Sequence, residues 1–180
     1  MIANGLPVLR TAQDRRARVN QLVERYHELL FRYAYRLTGC RAASEDIVQE
    51  VFLRAFRAID QLRDESAERG WLLTITRNEF ARWCRTVASQ RTGVVDGEVL
   101  TEGDAPDEDE IERRDWVQAA LEQLPIEFRT VVLMYYFEHL SYVQIAEQLE
   151  LPMGTVMSRL SRAKSHLRRC LDELALPHGG

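Results

Sequence analysis

Seven side chains near the C-terminal end, Thr155, Ser158, Arg159, Ser161, Arg162, Lys164 and Ser165, mix short hydroxyls with cations. Hydroxyls and guanidinium forks of that reach hydrogen-bond base edges and phosphates, which is the chemistry of duplex DNA recognition. Between Pro152 and Arg169 five basic residues meet no acid, so nothing local opposes a polyanion. Val156, Leu160, Ala163, Leu167 and Leu171 recur through the same stretch at helical spacing and must face protein. A solvated basic face on an ordinary helical hairpin would share these features, but it leaves the preceding residues unexplained. There Ser141 and Gln144 have the spacing of a capping box. Val143, Ile145, Ala146 and Leu149 give that first helix an apolar side, and Pro152 suits the first turn of the second. The pair reads as a helix-turn-helix whose second helix enters a DNA groove.

A second candidate group is Arg77, Asn78, Arg82, Trp83 and Arg85, in a helix expected from about Glu68 to Arg85. Rings and guanidinium planes stack on unpaired bases while the charges track phosphates, so this mixture suits single-stranded DNA. Arginine surfaces are common, and Trp71, with Leu72, Ile75 and Phe80, is expected in the core. Taken alone, this patch supports nucleic-acid binding only weakly.

The chain of 180 residues is 46% hydrophobic with few Gly and Pro, and no alternating strand pattern occurs. Its net charge of −4 is unevenly placed. Residues 93–115 carry ten acids against two arginines, residues 116–150 five acids against one arginine, and residues 151–180 five bases against two acids. Local basic surfaces therefore survive an acidic total. Cys40, Cys84 and Cys170 lie far apart with no CxxC pair, which reads as reduced thiols of a cytoplasmic protein. No signal-peptide core or membrane-length apolar run occurs, so no membrane insertion is expected. Nucleophile–base spacing, a metal cluster and a phosphate loop are all missing, so no catalytic, metal or cofactor site is expected.

The elements that must position these groups are helical. Leu22, Tyr26, Leu29, Tyr33 and Leu37 mark one face of a first helix ended by Gly39. Ser44 is expected to cap a second helix with Glu45 and Asp46 in its first turn. Its apolar set is Ile47, Val48, Val51, Phe52, Ala55, Phe56 and Ile59, and Gln49, Glu50, Arg54 and Arg57 project elsewhere. Trp116, Val117, Ala120, Leu121 and Leu124 form a further amphipathic helix. Pro125 starts the next, with Phe128, Val131, Val132, Tyr135 and Tyr136. The expected fold class is all-α: two small helical domains over residues 18–90 and 112–175, joined by a flexible acidic linker over 91–111.

The blocks EDIVQEVFLRAFRAI, WLLTITRN and LPIEFRTVVLMYYFEHLSYVQIAEQLELPMGTVMSRLSRAK, in this order, resemble those of bacterial sigma factors of the extracytoplasmic-function type. The resemblance implies a transcription initiation factor, not an enzyme, with sigma region 2 over 18–90 and sigma region 4 over 112–175. It implies that Asp46, Gln49, Glu50, Leu53 and Arg54 bind core RNA polymerase, through the clamp of the largest subunit, with the flap as a further contact. Arg77, Asn78, Arg82, Trp83 and Arg85 would melt and read the minus-ten element on the non-template strand. Thr155, Ser158, Arg159, Ser161, Arg162 and Lys164 would read the minus-thirty-five element as duplex. The acidic linker would thread toward the active centre and RNA exit path. An anti-sigma factor as regulator, and a monomer when bound to polymerase, are also implied. Three positions depart from the family pattern: Met157 in place of a common cation, Ala67 or Glu68 in place of an aromatic, and Arg82 in place of a common aspartate.

Three other readings stand beside this one. A dimeric helix-turn-helix repressor or activator would bind duplex alone, on half-sites one turn apart. A helical enzyme would use Cys84 or one of His27, His139, His166 and His178. A pure interaction protein would bind polymerase without reading promoters.

Overall fold

A computed structural model describes residues 11–62, 64–91 and 116–175. Among these residues there are helices and turns and no β-strand, and the chain divides into an N-terminal and a C-terminal compact unit. The expected linker over 91–111 lies outside the described residues apart from Arg91, which ends a helix.

In the N-terminal unit, α1 runs Ala12–Thr38. It begins six residues before the expected boundary because Thr11 and Asp14 close a capping box: Thr11 Oγ1 accepts from the Asp14 N–H, and Asp14 accepts from the Thr11 N–H. It ends where Gly39 turns left-handed (φ 70°) and donates its N–H to the Tyr35 carbonyl. Only glycine makes that conformation without steric cost. Of the expected face, Leu22, Tyr33 and Leu37 are buried and Tyr26 and Leu29 half-buried, while Leu30 joins the core fully.

The second helix, α2 (Arg41–Ala58), corrects the expected start. Ser44 does not cap it. Cys40 is the N-cap residue and makes no side-chain cap bond, while buried Ser44 donates back to the Cys40 carbonyl at 2.7 Å and lies 2.8 Å from Thr38 Oγ1. The hydroxyl is used to tie α2 to the end of α1, so Glu45 and Asp46 lie beyond the first turn. Ile47, Val48, Val51 and Ala55 are buried as expected, and Phe52 and Phe56 are half-buried. Short 3-10 turns at Ile59–Gln61 and Glu65–Ala67 lead into α3 (Glu68–Arg91), and the three helices pack pairwise. Leu72, Leu73 and Phe80 are core, whereas Trp71 and Ile75 are only half-buried.

The C-terminal unit comprises α4 (Trp116–Glu122), α5 (Ile126–Tyr136), α6 (Tyr142–Leu149) and α7 (Met153–Ala175). Val131, Val132, Leu133 and Met134 bury much of α5. Buried Arg129 donates to the Glu122 and Leu124 carbonyls at 2.8 and 3.3 Å, filling acceptors that the end of α4 leaves open. The expected capping box of α6 is present, with Ser141 and Gln144 as its two members. Val143, expected on the apolar side of α6, is instead 53% exposed. Helix α7 packs on α4, α5 and α6 through Val156, Leu160, Ala163 and Cys170.

Candidate nucleic-acid and polymerase interfaces

The bend between α6 and α7 is made by backbone. Glu150 is left-handed (φ 53°), and the Leu151 N–H reaches the Ala146 carbonyl at 2.9 Å. Pro152 then lies just before α7, one residue earlier than expected, and its carbonyl receives the N–H groups of Thr155 and Val156. With the apolar side of α7 held down, Ser158, Ser161, Arg162 and Ser165 are exposed and Thr155 and Arg159 half-buried.

Lys164 stands apart from that face. Its ammonium lies 5.1 Å from the Tyr135 ring centroid and 5.5 Å from that of Tyr136, on the flank facing α5. The hydrogen bond with the Tyr136 hydroxyl raises its pKa above the ordinary lysine value. Tyr135 in turn meets Tyr136 edge-on at 4.9 Å and Tyr142 at 5.3 Å. Local spacing places Lys164 with the reading face, because the aromatic partners of its charge lie on another helix.

In the N-terminal unit, α3 divides the five residues expected to meet melted DNA. Asn78, Arg82 and Arg85 recur at helical spacing and are exposed. Trp71 and Thr74, half-buried, continue the same stripe toward the start of α3; spacing from Asn78 was the signal that could have placed Trp71 there. Trp83 lies farther round, stacked on Phe80 at 6.0 Å. Arg77 departs from the expectation of a surface cation. It is only 7% exposed and donates to Thr74 Oγ1 at 3.2 Å, and Thr74 itself donates to the Gly70 carbonyl.

Glu68 closes the start of α3 from below. Its carboxylate is fully buried and receives Arg18, Arg25 (3.0 Å) and the Tyr26 hydroxyl (3.1 Å). Burial pushes the Tyr26 phenol above its ordinary pKa. Glu68, one of the two positions at which the resemblance implies an aromatic, thus ties this end of the helix by ion pairs.

On α2, Asp46, Gln49 and Leu53 are exposed and Glu50 and Arg54 half-buried. Leu53 is 52% exposed, an apolar side chain among polar ones. Arg57, at the same helical spacing, is also exposed. Arg54 turns inward: its Nε lies 3.1 Å from Glu50 and 2.5 Å from buried Glu79, off the axis of a hydrogen bond. Glu79 also lies 3.8 Å from Arg82. The described residues hold no metal-ligand cluster, and no described helix is long and apolar enough to cross a membrane.

Comparison with known proteins agrees over both units. The family described as Sigma-70 region 2 matches residues 22–90, and that described as Sigma-70, region 4 matches residues 114–167. The ECF RNA polymerase sigma factor SigL of Mycobacterium tuberculosis is 36% identical over 163 residues, covering 89% of this chain and 92% of that protein. The ECF RNA polymerase sigma factor SigE of Mycolicibacterium smegmatis is 35% identical over 159 residues, or 83% of this chain and 60% of that longer protein. Among solved structures, the sigma factor RpoE of Bartonella quintana, crystallised with the anti-sigma factor NepR, is similar with a TM-score of 0.65. The identity there is 25%, covering 85% of this chain and 96% of that one.

Proposed function

The chain belongs to the extracytoplasmic-function sigma factors of the sigma-70 family, and we propose that its two units divide promoter recognition between them. Such a protein is a transcription initiation factor, not an enzyme: it binds core RNA polymerase and directs it to promoters, and the bond chemistry is the polymerase's. In this reading α7 enters the major groove of the minus-thirty-five element, with Thr155, Ser158, Ser161 and Arg162 toward the bases and Arg159 at the edge. A guanidinium bidentate on guanine discriminates by about 1–3 kcal/mol. Lys164 serves the protein side, holding α7 against the tyrosines of α5.

In the N-terminal unit, Asn78, Arg82 and Arg85 meet the melted non-template strand, and Trp83 borders them. Buried Arg77 supports this face through Thr74. Asp46, Gln49, Glu50 and Leu53 on α2 dock on the clamp of the largest polymerase subunit, with Leu53 as the apolar anchor and Arg54 holding α2 to α3. The C-terminal unit takes the flap, and one sigma monomer serves one polymerase in the cytoplasm. An anti-sigma factor covering these faces is the regulator we propose, by analogy with the RpoE–NepR complex.

The observation that carries the promoter reading is α7 itself: an exposed hydroxyl and arginine face, backed by buried Val156, Leu160 and Ala163, presented by a backbone-closed turn. The test is to add the purified chain to sigma-free bacterial core polymerase and map transcript starts on genomic DNA. New starts sharing two spaced motifs are expected. No stimulation, together with tight duplex binding by the chain alone, would replace this reading with the dimeric repressor.

A further inference from the structure

Base reading uses only the first half of α7. The helix has 23 residues, and at 1.5 Å per residue it runs roughly 34 Å, against a major groove about 12 Å wide. Its turns beyond Arg162 must leave the groove and pass the sugar–phosphate rim. At that level Phe128 of α5 and Ser161, Arg162, Ser165, His166 and Arg169 of α7 line an open groove in the protein surface. Arg162 and Arg169 lie seven residues apart, two turns along one side of the helix, and both are exposed. Among the described residues no carboxylate lines this groove. Its floor is fixed: the Ser165 hydroxyl donates to the Ser161 carbonyl, and His166 Nδ1 lies 3.0 Å from the sulfur of buried Cys170. The Cys170 thiol also reaches Gln123 Oε1 at 3.3 Å, so the imidazole is anchored from beneath with Nε2 as its remaining polar atom.

We propose that this groove seats a backbone phosphate of the promoter duplex, with Arg169 as its main cation and Arg162 spanning the bases and the rim. The inference rests on α7 being the duplex-reading helix and adds to it a contact that carries no base information. Phosphate contacts fix register and depth, base contacts specify. Arg169 is thus a positioning residue: it sets how far the face from Thr155 to Arg162 advances into the groove.

The test uses holoenzyme assembled from core polymerase and the full chain, with promoter affinity measured as salt is varied. Each phosphate neutralised contributes a slope of about −0.9 in log affinity against log salt. R169A is expected to weaken every minus-thirty-five sequence by the same factor and to flatten the slope by about 0.9, so that raising salt fourfold costs about 3.5-fold less than in wild type. R169K should keep the slope. Methylphosphonate at the facing phosphate, which leaves the protein untouched, should reproduce the flattening. An unchanged slope in both R169A and the methylphosphonate duplex would overturn the phosphate seat, as would a loss confined to one promoter sequence. A wild-type holoenzyme that fails to bind promoters would overturn the initiation-factor reading, and this inference with it.

Discussion

The two units hold their positive charge in opposite ways. In the N-terminal unit, Arg18 and Arg25 converge on Glu68, and Arg54 and Arg82 on Glu79, both carboxylates being buried. In the C-terminal unit, Arg162 and Arg169 line a groove to which none of the described residues brings a carboxylate, and the charge of Lys164 rests on tyrosine rings. A guanidinium paired with a carboxylate is well oriented, but much of its long-range field is cancelled. These paired arginines of the N-terminal unit therefore offer shape and stacking more than field, which suits a strand already brought close by the polymerase. The arginines along α7 offer a local field, which suits a duplex approached from solution.

The widest separation between the units should come from Glu68→Gln. Removing the charge of a buried partner costs about 3–5 kcal/mol, with the lower end expected because Arg18 keeps Glu65 at 3.5 Å and Arg25 is half-exposed at its side chain. Urea unfolding should show the N-terminal transition moving and the C-terminal one staying; movement of both, or neither, would break the comparison. Next in size, Arg162→Ala should remove about 1–3 kcal/mol of discrimination between minus-thirty-five sequences, read by competition between promoters with holoenzyme. Arg82→Ala should leave that competition unchanged.

The helix periods, the Gly39 stop and the Ser141–Gln144 box were legible in the sequence because each is settled within a few residues. What was not legible depends on partners far along the chain. Glu68 is 50 residues from Arg18, and nothing near Glu68 announces that it will be buried. The inward turn of Arg54 needs Glu79 on another helix, and Lys164 needs the tyrosines of α5. Ser44 had the right type for a cap, yet Thr38 and the Cys40 carbonyl claimed its hydroxyl. Charged side chains were thus the least readable, since spacing says which face they share and not what faces them.

A smaller effect sharpens the view of the C-terminal unit. Ser141→Ala removes the cap of α6 and should cost about 1 kcal/mol, lowering the C-terminal unfolding transition alone. The smallest is a pH effect before α3. Asp64 accepts from the Ser66 hydroxyl and N–H, and these bonds lower its pKa. A carboxyl with a lowered folded pKa stabilises fully above its unfolded pKa, and the contribution disappears as pH falls through the folded value. Asp64→Asn should therefore lower the stability of the N-terminal transition slightly near neutrality and leave it as it was at low pH, so that its acid sensitivity is slightly reduced.

Because the bend before α7 is closed by Glu150, Leu151 and the Pro152 carbonyl, the angle of presentation is independent of the side chains presented. Met157, Ser158, Ser161 and Arg162 are exposed, and exchanging such residues usually changes stability by within about 0.5 kcal/mol. Target preference can therefore be inherited separately from the scaffold. A duplicated copy of this chain could acquire a new set of promoters through a few surface codons, while every residue that folds the molecule stays unchanged.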